Sequence, residues 1–224
     1  MQVRKTTIYV NASGKRRAAF QKVQQDRIDE DPDHMILNKS GKKIRPKPLK
    51  LIQDVSTRWD STFYMLVRFF KLKDDIQTFL EEDGTNYLLL TPEQWSHIIY
   101  LIDITKEYAK ITNAVSATKT VTIHYAFAIY SRLFTHLEKA AKQLRRKRVP
   151  WKTEMINALV AARDKLNVYY SKTKHSLGYF YGRAALLNPE VGDKIFMTSN
   201  WEAEEGEASW ASQYWQSLEK EFDK

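Results

Sequence analysis

The sequence predicts a mainly α-helical protein, a multi-helix bundle with at most a short strand near residues 49–55. Three observations carry this expectation. Apolar residues recur at three- and four-residue spacing, most clearly in Ile123, Ala126, Phe127, Tyr130, Leu133, Phe134, Leu137, Ala141 and Leu144. Helix-start signals precede such stripes, as in Thr91-Pro92-Glu93-Gln94, which offers a cap, a first-turn Pro and a Gln three residues after the cap. No segment shows the strict alternation of a half-buried strand.

From the N-terminus, Val3 to Val10 form a first short segment, broken at Asn11-Ala12-Ser13-Gly14 by two capping residues. A basic amphipathic helix over about residues 15–27 is expected to bury Ala19, Phe20 and Val23. Residues 29–50 read as irregular, because Pro46 and Pro48 forbid a helix and push their predecessors towards extended backbone. Residues 49–55 read as a short strand or an extended lead-in. A helix from Asp60 or Ser61 then carries the stripe Phe63, Leu66, Val67 and Phe70, continuing to Ile76, Phe79 and Leu80. Asp83-Gly84-Thr85-Asn86 ends it.

The capped helix at Thr91 runs through Trp95, Ile98, Ile99 and Ile102 to about Val115. The long stripe from Ile123 closes at Arg145-Arg146-Lys147-Arg148, where cations suit a helix C-terminus. Pro150 opens another helix through Met155, Leu159, Ala162, Leu166, Tyr169 and Tyr170. A short apolar segment over residues 179–187, a turn at Asn188-Pro189 and an acidic helix near residues 207–222 complete the chain.

Composition bounds the function. No apolar run reaches the roughly 18–20 residues of a membrane span, so no membrane partner is expected. The start, Met1-Gln2-Val3-Arg4-Lys5, is not signal-like, and the absence of Cys removes disulfides, thiolate nucleophiles and zinc ribbons. An intracellular address fits best. The net charge of +9 implies an anionic partner only if it is clustered. It is: residues 1–50 hold 13 basic and 5 acidic groups and residues 121–175 hold 12 and 3, while the two other segments are mildly acidic.

Catalytic patterns are missing. The seven glycines form no phosphate loop, and there is no GxSxG elbow. The five histidines are never spaced as HExxH, and adjacent carboxylate pairs such as Asp74-Asp75 diverge by about 100° on a helix. No catalytic residue, metal site or cofactor is predicted for this chain. The basic runs are more informative. Lys15-Arg16-Arg17, then Lys42-Lys43-Ile44-Arg45, then Arg145-Arg146-Lys147-Arg148 each suit phosphates, and each alone reads equally well as solubilising surface. Aromatic residues among cations can stack unpaired bases. Trp95 and Tyr130 fall on apolar stripes and read as core; Trp59 does not.

Residues 51–66, LIQDVSTRWDSTFYML, resemble the "LDxxTRWNSTYxML" block of hAT-superfamily DNA transposases. Arg4-Lys5 through Ser13, Arg16-Arg17 and Phe20 are similar to the family segment preceding that block. Trp95 through Ser116, Lys165-Leu166 with Tyr169-Tyr170, and the stretch from Tyr179 to Pro189 resemble later blocks in order. Only the Arg-Trp block is specific. Asp60, Gln53 and Leu187-Asn188-Pro189 depart from the family pattern.

The resemblance implies an RNase H-like core with three catalytic acids, interrupted by a large helical insertion. By this likeness residues 1–50 are basic N-terminal helices with a Pro/Lys-rich loop, and residues 51–224 an insertion-like helical domain. The acids would then lie before Met1 and after Lys224, and the Mg²⁺ of the intact family would not be held by this chain. The implied role is nuclear: binding transposon ends or flanking duplex DNA, with self-association as a further expectation. Arg58 and Trp59 would contact that DNA, Trp59 stacking on an unpaired base and Arg58 pairing with a phosphate, Asp54 or Asp60. The alternative is a domesticated helical module that binds protein.

Overall fold

In the computed structural model, the residues described are 2–38, 40–55, 58–116, 123–176, 178–189, 192–197 and 208–223. Among them the chain forms nine α-helices and one two-stranded hairpin. The order is α1 (Gln2–Asn11), α2 (Gly14–Glu30), β1 (Ile36–Leu37), β2 (Lys43–Ile44), α3 (Trp59–Lys71), α4 (Lys73–Glu82), α5 (Pro92–Val115), α6 (Ala126–Arg145), α7 (Lys152–Ser176), α8 (Gly178–Leu186) and α9 (Trp210–Phe222). The mainly helical expectation holds. The capping box at the start of α5 forms as expected: Thr91 N–H donates to Gln94 Oε1 at 2.9 Å, and Gln94 N–H to Thr91 Oγ1 at 3.3 Å.

The chain divides into two compact units, Met1–Ala109 and Lys110–Lys224, and not at residue 50. The reason lies in the first core. Val3, Val10, Phe20 and Val23 of α1 and α2 share it with Met65, Leu66, Phe69, Ile76, Phe79 and Leu80 of α3 and α4. Two burial expectations shift. Ala19 is exposed while Gln24 is buried, and the buried stripe of α3 is Met65, Leu66 and Phe69, leaving Val67 and Phe70 partly in solvent. Because α3 is apolar on several faces, its pattern does not select one of them. The single helix expected after Asp60 is also broken at buried Leu72, whose backbone (φ −102°, ψ 22°) leaves helical geometry.

Residues 49–55 form neither helix nor strand; the hairpin lies earlier, with Ile36 opposite Ile44 and Leu37 opposite Lys43. A backbone without a strand partner must place its hydrogen bonds elsewhere. Here side chains accept and supply them. Leu49 N–H donates to Gln24 Oε1 at 2.7 Å, and Gln24 Nε2 donates to the Leu49 carbonyl at 3.0 Å. Arg68 donates to the Lys50 carbonyl at 2.7 Å and Asn11 to the Leu51 carbonyl at 3.3 Å. Asn11, expected as a cap, therefore spends its side chain on this segment.

The segment ends at Asp54, which is buried and accepts from Arg4 Nε at 2.9 Å and from Thr62 Oγ1 at 3.3 Å. The Arg4 hydrogen bond holds the Asp54 carboxyl below the ordinary carboxylate range. Asp75 is the opposite case. It is buried on α4 with Arg27 at 2.9 Å, yet burial pushes its carboxyl up, outweighing the Arg27 charge.

These opposite shifts have opposite consequences. A depressed acid contributes stability that is present above the ordinary value of 3.8 and lost as pH falls below it. A raised acid keeps its proton in the folded chain above 3.8, so stability declines as pH climbs through that window. Urea unfolding at pH 3 and pH 6 checks this. The deficit of Asp54→Asn relative to wild type should grow at pH 6, whereas Asp75→Asn should gain on wild type at pH 6. Differences of the same sign would contradict the assignment.

In the second unit α6 packs against α7, and α8 against α9. Leu133, Leu137, Ala140 and Leu144 of α6 are buried, as are Met155, Leu159 and Leu166 of α7. A second cluster joins Phe127, Ala185, Leu186, Phe196 and Tyr214. Tyr130, expected in the core, is only half-buried. Gly182 explains the close approach of α8 to α9, since a Cβ there would lie 2.4 Å from the Tyr214 ring. Gly182→Ala should lower stability by about 1–3 kcal/mol through overpacking around that buried ring, read from the urea midpoint. An unchanged midpoint would mean that α9 shifts freely.

Candidate nucleic-acid interface

The three basic runs occupy different local settings. Lys15, Arg16 and Arg17 fill the first turn of α2, where cations oppose the helix dipole. Two of them reach back to α1. Arg16 lies 3.9 Å over the Tyr9 ring and donates to the Tyr9 carbonyl at 3.5 Å, and Arg17 donates to the Asn11 carbonyl. The last carbonyls of α1 are thus satisfied by cations, a favourable arrangement at a helix C-terminus.

Lys42 and Lys43 are exposed on the hairpin, and Arg45 pairs with Asp29 at 2.7 Å near the end of α2. The 17 residues of α2 span about 25 Å, so the first run and Arg45 sit at opposite ends of that helix. The structure does not bring these two runs into one patch. Within the same unit the hairpin, the C-terminal half of α2 and the end of α3 enclose a groove of about 550 Å³, lined by Arg27, Ile28, Ile36, Ile44, Lys47 and Leu72 among others.

Arg58 is the exposed residue preceding α3, with extended backbone (φ −117°, ψ 114°). The start of α3 is held by Ser61, whose hydroxyl accepts from Val55 N–H at 2.9 Å and lies 2.8 Å and 2.7 Å from the Val55 and Arg58 carbonyls. Asp54, considered from sequence as a partner for Arg58, is instead taken by Arg4. Arg4 stands 50 residues away, so local spacing gives no signal of it. The helix begins at Trp59; its side chain, and with it the stacking role expected of it, lies outside the described residues.

Arg145, Arg146, Lys147 and Arg148 are all exposed at the C-terminal end of α6. The turn is fixed by its backbone, with Arg146 N–H donating to Gln143 at 3.2 Å and Lys147 N–H to Leu144 at 3.0 Å. Lys152 of α7 donates to the Arg145 carbonyl at 3.3 Å, adding a fifth cation from the next helix. Lys142 lies exposed one turn earlier. Four consecutive cations favour the dipole of α6, and their exposure makes the turn a positively charged projection.

Among the described residues no group of three or more His, Asp or Glu is placed to hold a metal ion, and no helix is long and apolar enough to cross a membrane.

Residues 1–104, nearly the whole first unit, match the family model described as the ZBED1 RNase-like helical domain. That likeness defines the class of domain this region resembles. Across both units, the chain is 35% identical over 219 residues to a protein of Talaromyces stipitatus named "Putative transcriptional regulator tpeD". The match covers 98% of this chain and 20% of that relative, so the chain spans about a fifth of its length. No solved structure matches.

Proposed function

We propose that this chain is the nucleic-acid-handling helical part of an hAT-derived nuclear protein, holding DNA by charge and carrying no reaction of its own. The observation that carries this reading is the projecting turn of Arg145, Arg146, Lys147 and Arg148 beside Lys142 and Lys152. Six cations around one helix end, with Glu138 and Glu154 the nearest acids in sequence, suit a phosphate backbone better than a solubilising surface, which mixes both signs. The relative's name points to transcription, and the block around Arg58 and Trp59 supports descent from a transposase. Arg58 and Trp59 are proposed as a second DNA-binding point, on the first unit, with Lys15, Lys42 and Lys43 as peripheral partners for phosphate.

A second reading, a module that binds protein, is favoured by one feature. Met35 and Leu37 are exposed on and beside the small hairpin, on the side opposite Ile36 and Ile44. A mobility-shift assay separates the two. The pure chain should retain duplex DNA at low salt and release it as salt rises. Absence of retention at any salt would overturn the nucleic-acid reading and leave the hairpin as the functional surface.

A further inference from the structure

The α6–α7 face carries a second feature that the basic turn does not explain. Tyr130, Ser131, Phe134 and Thr135 of α6 face Asn167 and Tyr170 of α7 across a slot of about 200 Å³, floored by buried Phe127. Tyr170 lines it with its ring 5.3 Å from Tyr130 and 5.9 Å from Phe134, at 60° and 86°. Tyr130, Phe134 and Tyr170 are half-buried and all three line the slot. The slot is smaller than the roughly 300–1,000 Å³ of drug-sized sites and suits a single planar ring system.

The polar groups fit the same shape. The Asn167 amide both donates and accepts, and Thr135 adds a hydroxyl, matching the mixed edge of a base. Burial pushes the Tyr170 phenol up to about 12, so its hydroxyl stays neutral. Arg163 and Glu138, bonded at 3.1 Å, border both this slot and a second trough of about 520 Å³. That trough continues along Leu137, Lys142, Leu159 and Arg145 to the basic turn. From Phe134 to Arg145 is about 17 Å along α6, within reach of the roughly 4–16 nucleotides that single-strand sites cover.

We propose that the α6–α7 slot receives one unpaired nucleobase of a single-stranded nucleic acid whose backbone runs along the trough to Arg145, Arg146, Lys147 and Arg148. Aromatic faces hold the base without strict sequence preference, Asn167 reads its edge, and the cations hold the phosphates. This rests on the nucleic-acid reading above and adds a base site on the second unit, separate from Trp59.

The test compares the affinities of the full chain for an oligothymidylate and for an abasic deoxyribose-phosphate strand of equal length and salt, with duplex DNA as reference. The base-bearing strand should bind about ten-fold tighter. Tyr130→Leu and Asn167→Ala should each bring that ratio towards one, and the ratio cancels any general loss of folded protein. Equal affinities in the wild type alongside firm duplex binding would overturn the slot and leave the broader reading standing. No binding to any strand would end both. A ratio retained in both variants, or abolished only by Trp59→Ala, would place the base elsewhere and overturn the proposal.

Discussion

Replacing Arg145, Arg146, Lys147 and Arg148 together by Ala should weaken duplex DNA binding by roughly 100-fold at moderate salt, the largest functional effect expected of any change in the chain. The reason is electrostatic. Each phosphate neutralised releases condensed counterions and contributes about −0.9 to the slope of log affinity against log salt. Removing four such cations should therefore flatten that slope by about 3.6. All four side chains are exposed at a helix end whose backbone bonds do not depend on them, so the fold should survive the change. Fluorescence anisotropy across a salt series reads both quantities. A variant with lower affinity but the wild-type slope would mean that the turn supports the structure and does not touch phosphates.

Gln24→Leu should lower the stability of the first unit by about 2–5 kcal/mol, as much as truncating a large core residue. Gln24 is 3% exposed and stands in for a missing strand, accepting from one Leu49 backbone group and donating to the other. Leucine is similar in size but leaves both Leu49 groups buried or half-buried without their partner, and each such loss costs about 1–3 kcal/mol. Gln24→Glu separates the two bonds: its carboxylate can still accept from Leu49 N–H but cannot donate to the carbonyl. An unfolding midpoint for Gln24→Leu close to wild type would show that water or a local shift satisfies the segment instead.

That clamp also shows where sequence reading stops. Helix existence and order are legible, because apolar spacing and the Thr91-Pro92-Glu93-Gln94 start specify α5 almost to the residue. That residues 49–55 escape the helices is legible from Pro46 and Pro48, but their partners are not. Gln24, Asn11 and Arg4 lie 25, 40 and 50 residues away, and a polar residue on a helix gives no sign of which distant backbone it will meet. In the site, the runs of cations are visible in the sequence but their settings are not. Arg16 and Arg17 become caps for α1, a use fixed by the tight turn between two helices. Tyr130 reads as core because it sits on the apolar stripe of α6; only the packing against α7 shows that the stripe's edge borders an open slot.

The central claim is that DNA is held at the turn between α6 and α7. Photo-crosslinking of the full chain to a duplex carrying photoreactive backbone groups, followed by peptide mapping, tests it most directly. The account predicts that the dominant crosslinked peptides contain residues 142–152, and that high salt abolishes the signal. Crosslinks confined to other segments, or a signal at residues 142–152 that persists unchanged in high salt, would contradict it.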